Sequence, residues 1–215
     1  SESPFNFVSD IQALAVPAPT LVSVGTGTSL EEILNRNDSI AFLVVQDDTT
    51  IYERYFQGHT ESSLSQLFSI SKSITSTLVG MASDDGYLEG IKETVDELIP
   101  ALEDSGLERV EIHHLLTMMS GSDYIENDNP FGEHVILNYT PNLRTRILQI
   151  GSAGLPGEEF RYKSGDNALL AMALEKALGG ETITAYTQRR LWTPLGMQDR
   201  GIWSIDHAGD GLEKT

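Results

Sequence analysis

A hydroxyl and an amine stand close together in the middle of the chain, at Ser69 and Lys72. Residues three apart are neighbours on one face of a helix, so this spacing pairs a candidate nucleophile with a candidate base. An S-x-x-K tetrapeptide by itself occurs by chance about once in a protein of this size. A helix-capping serine beside a solvated lysine is the alternative.

The segment that carries this pair, Leu67 to Leu88, has the pattern of an amphipathic helix that ends at Gly86. Apolar residues recur at three- and four-residue spacing and predict one buried face, formed by Ile70, Ile74, Leu78, Met81 and Ala82. Phe68 directly before the hydroxyl is expected to make the site semi-apolar, a setting in which the amine of Lys72 can take the proton of Ser69.

A third polar group is needed to protonate the leaving group, and Tyr162 is the candidate. It lies in an extended segment directly before a predicted amphipathic helix. That helix is expected to be capped by Ser164 and to end at Gly179-Gly180.

The other elements must hold these residues in place. Ser29 and Glu32 form a capping box for a short helix to about Asn35. The runs Ser39 to Gln46 and Thr50 to Phe56 predict a β-hairpin with a turn at 47–49. Further helices are predicted at Thr94 to Leu102, broken by Pro100, at Glu111 to Met119, at Thr140 to Ile150 with Thr140 as cap, and at Thr182 to Trp192. A polar loop is predicted at Asp123 to Pro130. Residues 1–28 read as an N-terminal arm with a short strand at Leu21 to Val24, and the Gly25 and Gly27 pair lacks the third glycine of a dinucleotide loop.

Composition limits the function classes. The 215 residues suffice for one core or two small lobes, and the net charge of −18 disfavours nucleic acid and anionic membranes as partners. The chain has no cysteine, and no apolar run approaches the length of a membrane span. We therefore expect a soluble protein. The chain starts at Ser1, so removal of a leader and a periplasmic or secreted location are one expectation, and the compartment otherwise stays open.

Other polar clusters favour structural roles. His113 and His114 are adjacent on a predicted helix, about 100° apart, and are expected to pack or cap rather than to share a metal. Asp206, His207 and Asp210 lack the glycine and terminal glutamate of an EF-hand, which favours a surface turn. Asp84-Asp85 is expected to be a solvated helix end. No metal or other cofactor is predicted.

Four motifs occur in an order that resembles the class C-like branch of the serine β-lactamases and penicillin-binding proteins. They are Ser69-x-x-Lys72, the HLLTMMSG stretch from His114 to Gly121, Tyr162-Lys-Ser164, and the LWTPLGM stretch from Leu191 to Met197. The resemblance runs from about Leu30 to the last residues. The Tyr162 motif and the hairpin are most similar to the subgroup of 6-aminohexanoate-dimer hydrolase and related esterases.

This resemblance implies an α+β fold of the β-lactamase/transpeptidase type, an antiparallel sheet packed with helices plus a mainly helical lobe. It implies Ser69 as acylated nucleophile, Lys72 as base and Tyr162 as proton shuttle in a hydrolase of small esters or amides. Ser164, Tyr124 and Asn167 are expected to orient the lysine or the substrate. The oxyanion hole would combine the backbone N–H of Ser69 with one from a late sheet strand.

The third motif of the family, on a C-terminal strand, has no counterpart before Thr215. We therefore expect an arm at 1–28 and an incomplete domain at 29–215, with the hairpin region at 29–66 and the nucleophile helix and helical lobe at 67–215. The remaining strands are expected in a missing or separate polypeptide segment. A homo-oligomer is left open.

Two alternatives to an esterase or amidase stay open. One is a β-lactamase or D-Ala-D-Ala peptidase, and the other is a non-catalytic binding relative of the same fold. Cleavage of oligoamides is less favoured, because Asp128 and Asn129 stand where the nylon-oligomer enzyme has a second tyrosine, and Tyr124 is the tyrosine nearby.

Overall fold

The computed structural model describes residues 29–127, 129–130, 132–207 and 211–214. The chain divides after Gln66 into two compact units. The predicted arm, with its strand and its glycine pair, lies outside the described residues. In the part that is described, no helix has the length and apolar character needed to cross a bilayer.

The first unit begins with helix α1, Leu30–Arg36, and the predicted capping box is confirmed. Glu32 N–H donates to Ser29 Oγ at 3.2 Å, and Ser29 N–H donates to Glu32 Oε2 at 2.7 Å. These two bonds pair two of the amide groups that the first turn of a helix leaves free.

The predicted β-hairpin follows, with strands β1, Ala41–Gln46, and β2, Thr49–Tyr55, paired antiparallel. Asp47 and Asp48 form the turn with φ of 49° and 59°, a left-handed conformation that aspartate tolerates better than most residues. The register shifts between Val44 and Val45, where a bulge interrupts the ladder. Over the described residues, β1 and β2 form a two-stranded sheet, and the other β-bridges are isolated pairs.

The second unit, from Leu67 onward, is helical. Its helices are α2 (Ser71–Asp84), α3 (Val95–Leu98), α4 (Ile112–Leu116), α5 (Glu133–Tyr139), α6 (Leu143–Ile147), α7 (Ser164–Ala177) and α8 (Ile183–Thr187). Short 3-10 turns occur at Phe68–Ile70 and Pro100–Leu102, and a π-helical turn at Gln188–Trp192 extends α8.

Helix α7 is the centre of the second unit. It contacts α2, α3, α4, α5, α6 and α8, and every residue from Ser164 to Leu174 is buried. A helix surrounded on all sides needs more than one apolar face, so the predicted single buried face was too narrow. The predicted cap was also wrong, because Lys163 is the N-cap residue and Ser164 is the first helical residue.

The nucleophile segment starts differently from the predicted single helix. Residues Phe68–Ile70 form a 3-10 turn, and α2 starts at Ser71. Leu78 and Ala82 are fully buried as predicted, but Ile70 is 62% exposed. Because Ile70 precedes the α-helix, its side chain does not follow the helical period on which the prediction rested.

Asp84 and Asp85 at the far end of α2 are exposed, as predicted for a solvated helix end, but Asp85 also bonds to residues distant in the sequence. The Tyr186 hydroxyl donates to Asp85 Oδ2 at 2.8 Å, and Arg190 Nε donates to the same oxygen at 2.6 Å. The hydrogen bond from Tyr186, followed by that from Arg190, lowers the pKa of the Asp85 carboxyl. These contacts join α2 to α8 and its π-helical extension.

Helix α5 was not predicted from the sequence, and it changes the boundary of the helix after it. Thr140 closes α5 in an extended conformation, as expected for a residue before proline. Helix α6 starts two residues later than a Thr140 cap would allow, and Asn142 caps it by accepting from Thr145 N–H at 3.2 Å.

The central place of α7 gives a first prediction. Leu169 is 0% exposed, so Leu169→Ala should leave a cavity and lower the free energy of unfolding by about 2–5 kcal/mol. Leu155→Ala deletes the same atoms where the side chain is 59% exposed, and should change it by less than about 0.5 kcal/mol. Urea unfolding of both variants measures the difference. Equal losses would contradict the central position of α7.

Candidate active site

The structure brings the predicted hydroxyl and amine into contact. Ser69 lies in the middle of the 3-10 turn, and Lys72 lies in the first turn of α2. Lys72 Nζ donates a hydrogen bond to Ser69 Oγ at 3.0 Å. The pair therefore has the reach that proton transfer between base and nucleophile requires.

The backbone is strained at Phe68, directly before this pair, and at Met118 after α4. In the described part of the chain, seven non-glycine residues have positive φ, and five of them are Asp or Gln. The other two are large and apolar: Phe68, at φ 45°, precedes Ser69, and Met118, at φ 54°, ends the turn after α4. Left-handed backbone is unfavourable for such side chains, and strain of this kind gathers at functional sites.

The residues next to Ser69 in the sequence do not provide the partly apolar environment that was predicted for Ser69 and Lys72. Phe68 is 79% exposed and Ile70 is 62% exposed. Because both side chains are mostly in solvent, the apolar groups near Lys72 come from α4, the turn after it and α7 rather than from the 3-10 turn. The expectation for Phe68 was therefore wrong.

Tyr162 lies beside the same amine. The Nζ atom of Lys72 is 5.4 Å from the centroid of the Tyr162 ring, a distance typical of a cation–π contact. The Tyr162 side chain is 44% exposed. Residues that are 90 positions apart in the sequence are thus brought together around Lys72 Nζ.

A cavity of about 190 Å³ opens next to Lys72. It is lined by residues of α2, of α4 and the turn after it, and of α7, namely Lys72, Ser73, Ser76, Leu115, Leu116, Met118, Asn167 and Leu170. Asn167, predicted to orient the substrate or the lysine, is one of these lining residues. The volume lies below the range of about 300–1,000 Å³ that is usual for drug-sized ligands, so the cavity has room for a small molecule only.

Ser164 and Tyr124, the other two predicted orienting residues, have different surroundings. Ser164 N–H donates to Glu126 Oε2 at 2.7 Å, and its Oγ donates to Glu126 Oε1 at 3.0 Å. Tyr124 is 5% exposed and its ring lies against Gly165, where an added Cβ would come within 2.6 Å. Among the described residues, neither side chain hydrogen-bonds to Ser69 or Lys72.

The adjacent histidines behave only partly as predicted. His114 Nδ1 accepts from Glu111 N–H at 3.0 Å, which confirms the capping role. The expectation that the rings diverge was wrong, since their centroids are 3.9 Å apart and ligand atoms of Glu111, His113 and His114 lie within 4.8 Å of one another. Glu111 causes this approach, because its carboxylate lies 3.0 Å from His113 Nδ1 while its amide holds His114.

The capping bond decides what these histidines can bind. With Nδ1 as acceptor, the neutral His114 ring carries its proton on Nε2 and has no lone pair left for a metal. Burial, and then the neighbouring His113, lowers the pKa of His114, which favours the neutral ring. In this conformation the cluster therefore offers two metal ligands rather than three.

The Asp206 loop is also more structural than the sequence indicated. Asp206 Oδ2 accepts from Leu143 N–H at 2.6 Å, and Oδ1 accepts from Leu212 N–H at 2.9 Å. Its side chain is fully buried, so it fastens α6 to the end of the chain rather than forming a solvated turn. Asp210 lies outside the described residues.

A set of buried polar residues next to Tyr162 was not predicted from the sequence. Lys163 is 5% exposed and Asp166 is 0% exposed, and Ser120 and Ser122 lie with them. A signal was present in the sequence. Lys163 precedes a helix that is otherwise apolar on most sides, Asp166 lies in its first turn, and charged residues at such positions need buried partners.

Comparisons with known proteins identify the family and the fold of this chain. A family model described as Beta-lactamase matches residues 30–208. A curated relative, 6-aminohexanoate-dimer hydrolase from Paenarthrobacter ureafaciens, is 27% identical over 195 residues, which is 85% of this chain and 49% of the relative. The chain thus spans about half the length of that relative.

Solved structures show the same fold. A provisionally named 6-aminohexanoate-dimer hydrolase from Bacillus anthracis is 21% identical with a TM-score of 0.68, over 78% of this chain and 47% of that protein. A β-lactamase/D-alanine carboxypeptidase from Pseudomonas syringae is 20% identical with a TM-score of 0.61, over 78% of this chain and 48% of that protein. The sequence match over most of its length, together with this β-lactamase/transpeptidase-like fold, shows that the chain belongs to the Beta-lactamase family.

Proposed function

We propose that this chain carries the nucleophile and proton-transfer residues of a serine hydrolase that cleaves small esters or amides through an acyl-Ser69 intermediate. One observation carries the proposal. The amine of Lys72 contacts Ser69 Oγ at 3.0 Å, and the same amine lies 5.4 Å from the ring centre of Tyr162. Nucleophile, base and phenol thus meet at one nitrogen.

The proposed chemistry keeps atoms and protons in balance. As Ser69 Oγ bonds to the substrate carbonyl carbon, its proton passes to the amine nitrogen of Lys72. When the bond to the leaving group breaks, that group takes the phenol proton of Tyr162, and the Lys72 ammonium returns a proton to the phenolate. Water then attacks the acyl group by the reverse route and frees Ser69.

The oxyanion of the tetrahedral intermediate needs hydrogen-bond donors. The backbone N–H of Ser69 is the proposed first donor, and its position in a turn before α2 suits that role. A second donor from strands in a missing or separate segment stays a prediction, as does the division into residues 1–28 and 29–215.

The cavity and the relatives support a small substrate. The wall formed by Leu115, Leu116 and Leu170 suits an apolar acyl or amine chain, and Asn167 supplies a polar group in the same cavity. The name of the Paenarthrobacter relative refers to a dimer of a short linear amino acid. We infer a substrate of the same size class, either a short-chain ester or a short-chain amide.

Covalent labelling tests the nucleophile. Incubation of the full-length protein with a fluorophosphonate should add one phosphonyl group, and peptide mapping by mass spectrometry should place it on Ser69. Ser71→Ala should leave the labelling unchanged, because the Ser71 hydroxyl bonds to Phe68 O rather than to Lys72. Absence of an adduct on Ser69 in the full-length protein would sink the proposal.

Kinetics separate the roles of the other two residues. Lys72→Met and Tyr162→Phe should each lower kcat for a p-nitrophenyl ester by about 10²–10⁴-fold, the usual contribution of a general acid or base. Tyr139→Phe, at a tyrosine that is 82% exposed on α5, is the matched control and should have no effect. Wild-type kcat in either of the first two variants would remove that residue from the mechanism.

The alternative activities have their own tests. Turnover of nitrocefin at a rate above that of a p-nitrophenyl ester would favour a β-lactamase, and release of D-alanine from a D-Ala-D-Ala peptide would favour a peptidase. A binding activity that survives Ser69→Ala unchanged would favour a non-catalytic relative. We expect ester or amide turnover to exceed both β-lactam and D-Ala-D-Ala turnover.

A further inference from the structure

The segment that carries Tyr162 is fastened on both sides to the chain between Met118 and Glu126. Before the tyrosine, Arg161 N–H donates to Met118 O at 3.0 Å. After it, Lys163 Nζ donates to Ser122 O, and Ser164 bonds to Glu126 through both its amide and its hydroxyl. Tyr162 is therefore held between fixed neighbours, and its side chain is 44% exposed.

Neighbouring side chains in this segment point in opposite directions. Lys163 has the extended backbone of φ −144° and ψ 115°, and successive side chains of extended backbone alternate between two faces. Lys163 is 5% exposed, so its side chain occupies the inner face. An inward anchor at Lys163 thus turns the Tyr162 ring outward, to the side where Lys72 lies.

The inward anchor belongs to a buried chain of hydrogen bonds. Lys163 Nζ donates to Ser122 Oγ at 3.1 Å, and Ser122 Oγ donates to Asp166 Oδ1 at 3.0 Å. Ser120 Oγ donates to the same carboxylate oxygen at 2.7 Å. The four side chains are almost fully buried, and they link the N-terminus of α7 to the Ser-Gly turn after α4.

Stability alone does not explain this arrangement. Burial raises the pKa of the Asp166 carboxyl and lowers the pKa of the Lys163 amine, so burial disfavours both charged forms. Among the described residues, Asp166 Oδ2 has no hydrogen-bond partner. Lys163 and Asp166 are bridged by Ser122 Oγ rather than paired directly, and even direct buried ion pairs are often replaced by apolar residues of similar volume with no loss of stability. Another reason for keeping the two charges is needed.

We propose that Lys163 and Asp166 are positioning residues for Tyr162: acting through Ser120 and Ser122, they fix the segment so that the phenol faces Lys72. The role in catalysis rests on the function proposed above, but the orientation of the ring does not. Neither residue touches substrate in this scheme. Their effect on the reaction runs entirely through Tyr162.

The test is the double variant Lys163→Met/Asp166→Asn of the full-length protein, which removes both charges and keeps similar side-chain volumes. Its urea midpoint should equal or exceed that of the wild type. Tyrosine labelled with ¹³C at Cζ gives one NMR signal per ring, and the signal lost in Tyr162→Phe identifies Tyr162. That signal should shift or broaden in the double variant, and kcat should fall by about 10–100-fold with little change in KM.

Glu213→Gln is the matched control. Glu213 is 3% exposed and, like Asp166, accepts two hydrogen bonds at one oxygen, here from Thr184 N–H and Oγ at 2.7 Å each. Its substitution should lower the urea midpoint and leave both the Tyr162 signal and kcat unchanged. An unchanged Tyr162 signal in the double variant, or an equal change in the control, would overturn the proposal.

A second variant covers the case in which the double variant does not fold. Ser122→Ala removes the hydroxyl that links Lys163 to Asp166 and keeps the carbonyl that Lys163 also contacts. The Tyr162 signal should again shift, and its constancy would overturn the proposal. Loss of the function proposed above would show as a wild-type protein without a Ser69 adduct, while the NMR signal would still decide how Tyr162 is held.

Discussion

The second unit is packed around helix α7, which is buried on all sides and whose buried polar groups therefore need hydrogen-bond partners. Its middle is apolar and packs against six other helices, but its first turn is polar and equally buried. The chain of hydrogen bonds from Lys163 through Ser122 to Asp166 gives each of these buried groups a polar partner. The same chain fixes the point where the backbone leaves the core and presents Tyr162. The same hydrogen bonds therefore give the buried groups their partners and position Tyr162.

The candidate site combines a local pair with a distant third residue. Ser69 and Lys72 meet because they are three residues apart at the start of one helix. Tyr162 lies near them because its segment is held between the start of α7 and the residues that follow α4. Phe68, directly before Ser69, and Met118, after α4, both have the unfavourable positive φ of left-handed backbone. Such strain persists only where the surrounding packing determines the conformation.

Local signals in the sequence were sufficient for the capping box at Ser29, the hairpin with its Asp47-Asp48 turn, and the Ser69–Lys72 pair. Each depends on residues within a few positions of one another. The order of the motifs indicated the family and the fold, and it identified Tyr162 as a candidate site residue. Local sequence patterns could not have predicted that Tyr162 lies near Lys72.

Features that depend on distant partners were missed. Asp85 bonds to a tyrosine 101 residues away, and Asp166 bonds to a serine 46 residues away, so neither bond has a local signature. The predictions for Ile70 and for the first turn of α7 were wrong for a related reason. A prediction from helical periodicity assumes that a helix has one buried face and that it starts where the apolar pattern starts. Helix α5 is short, and its existence depends on packing rather than on propensity.

The central claim is that Ser69, Lys72 and Tyr162 act at one reacting centre, and a crystal structure of the phosphonylated full-length protein tests it most directly. We expect density continuous from Ser69 Oγ to phosphorus, with Lys72 Nζ in hydrogen-bond contact with Oγ and the Tyr162 hydroxyl facing the phosphonyl group. Phosphorus bonded to another residue, or a Tyr162 ring turned away from Lys72 with the adduct in place, would contradict it.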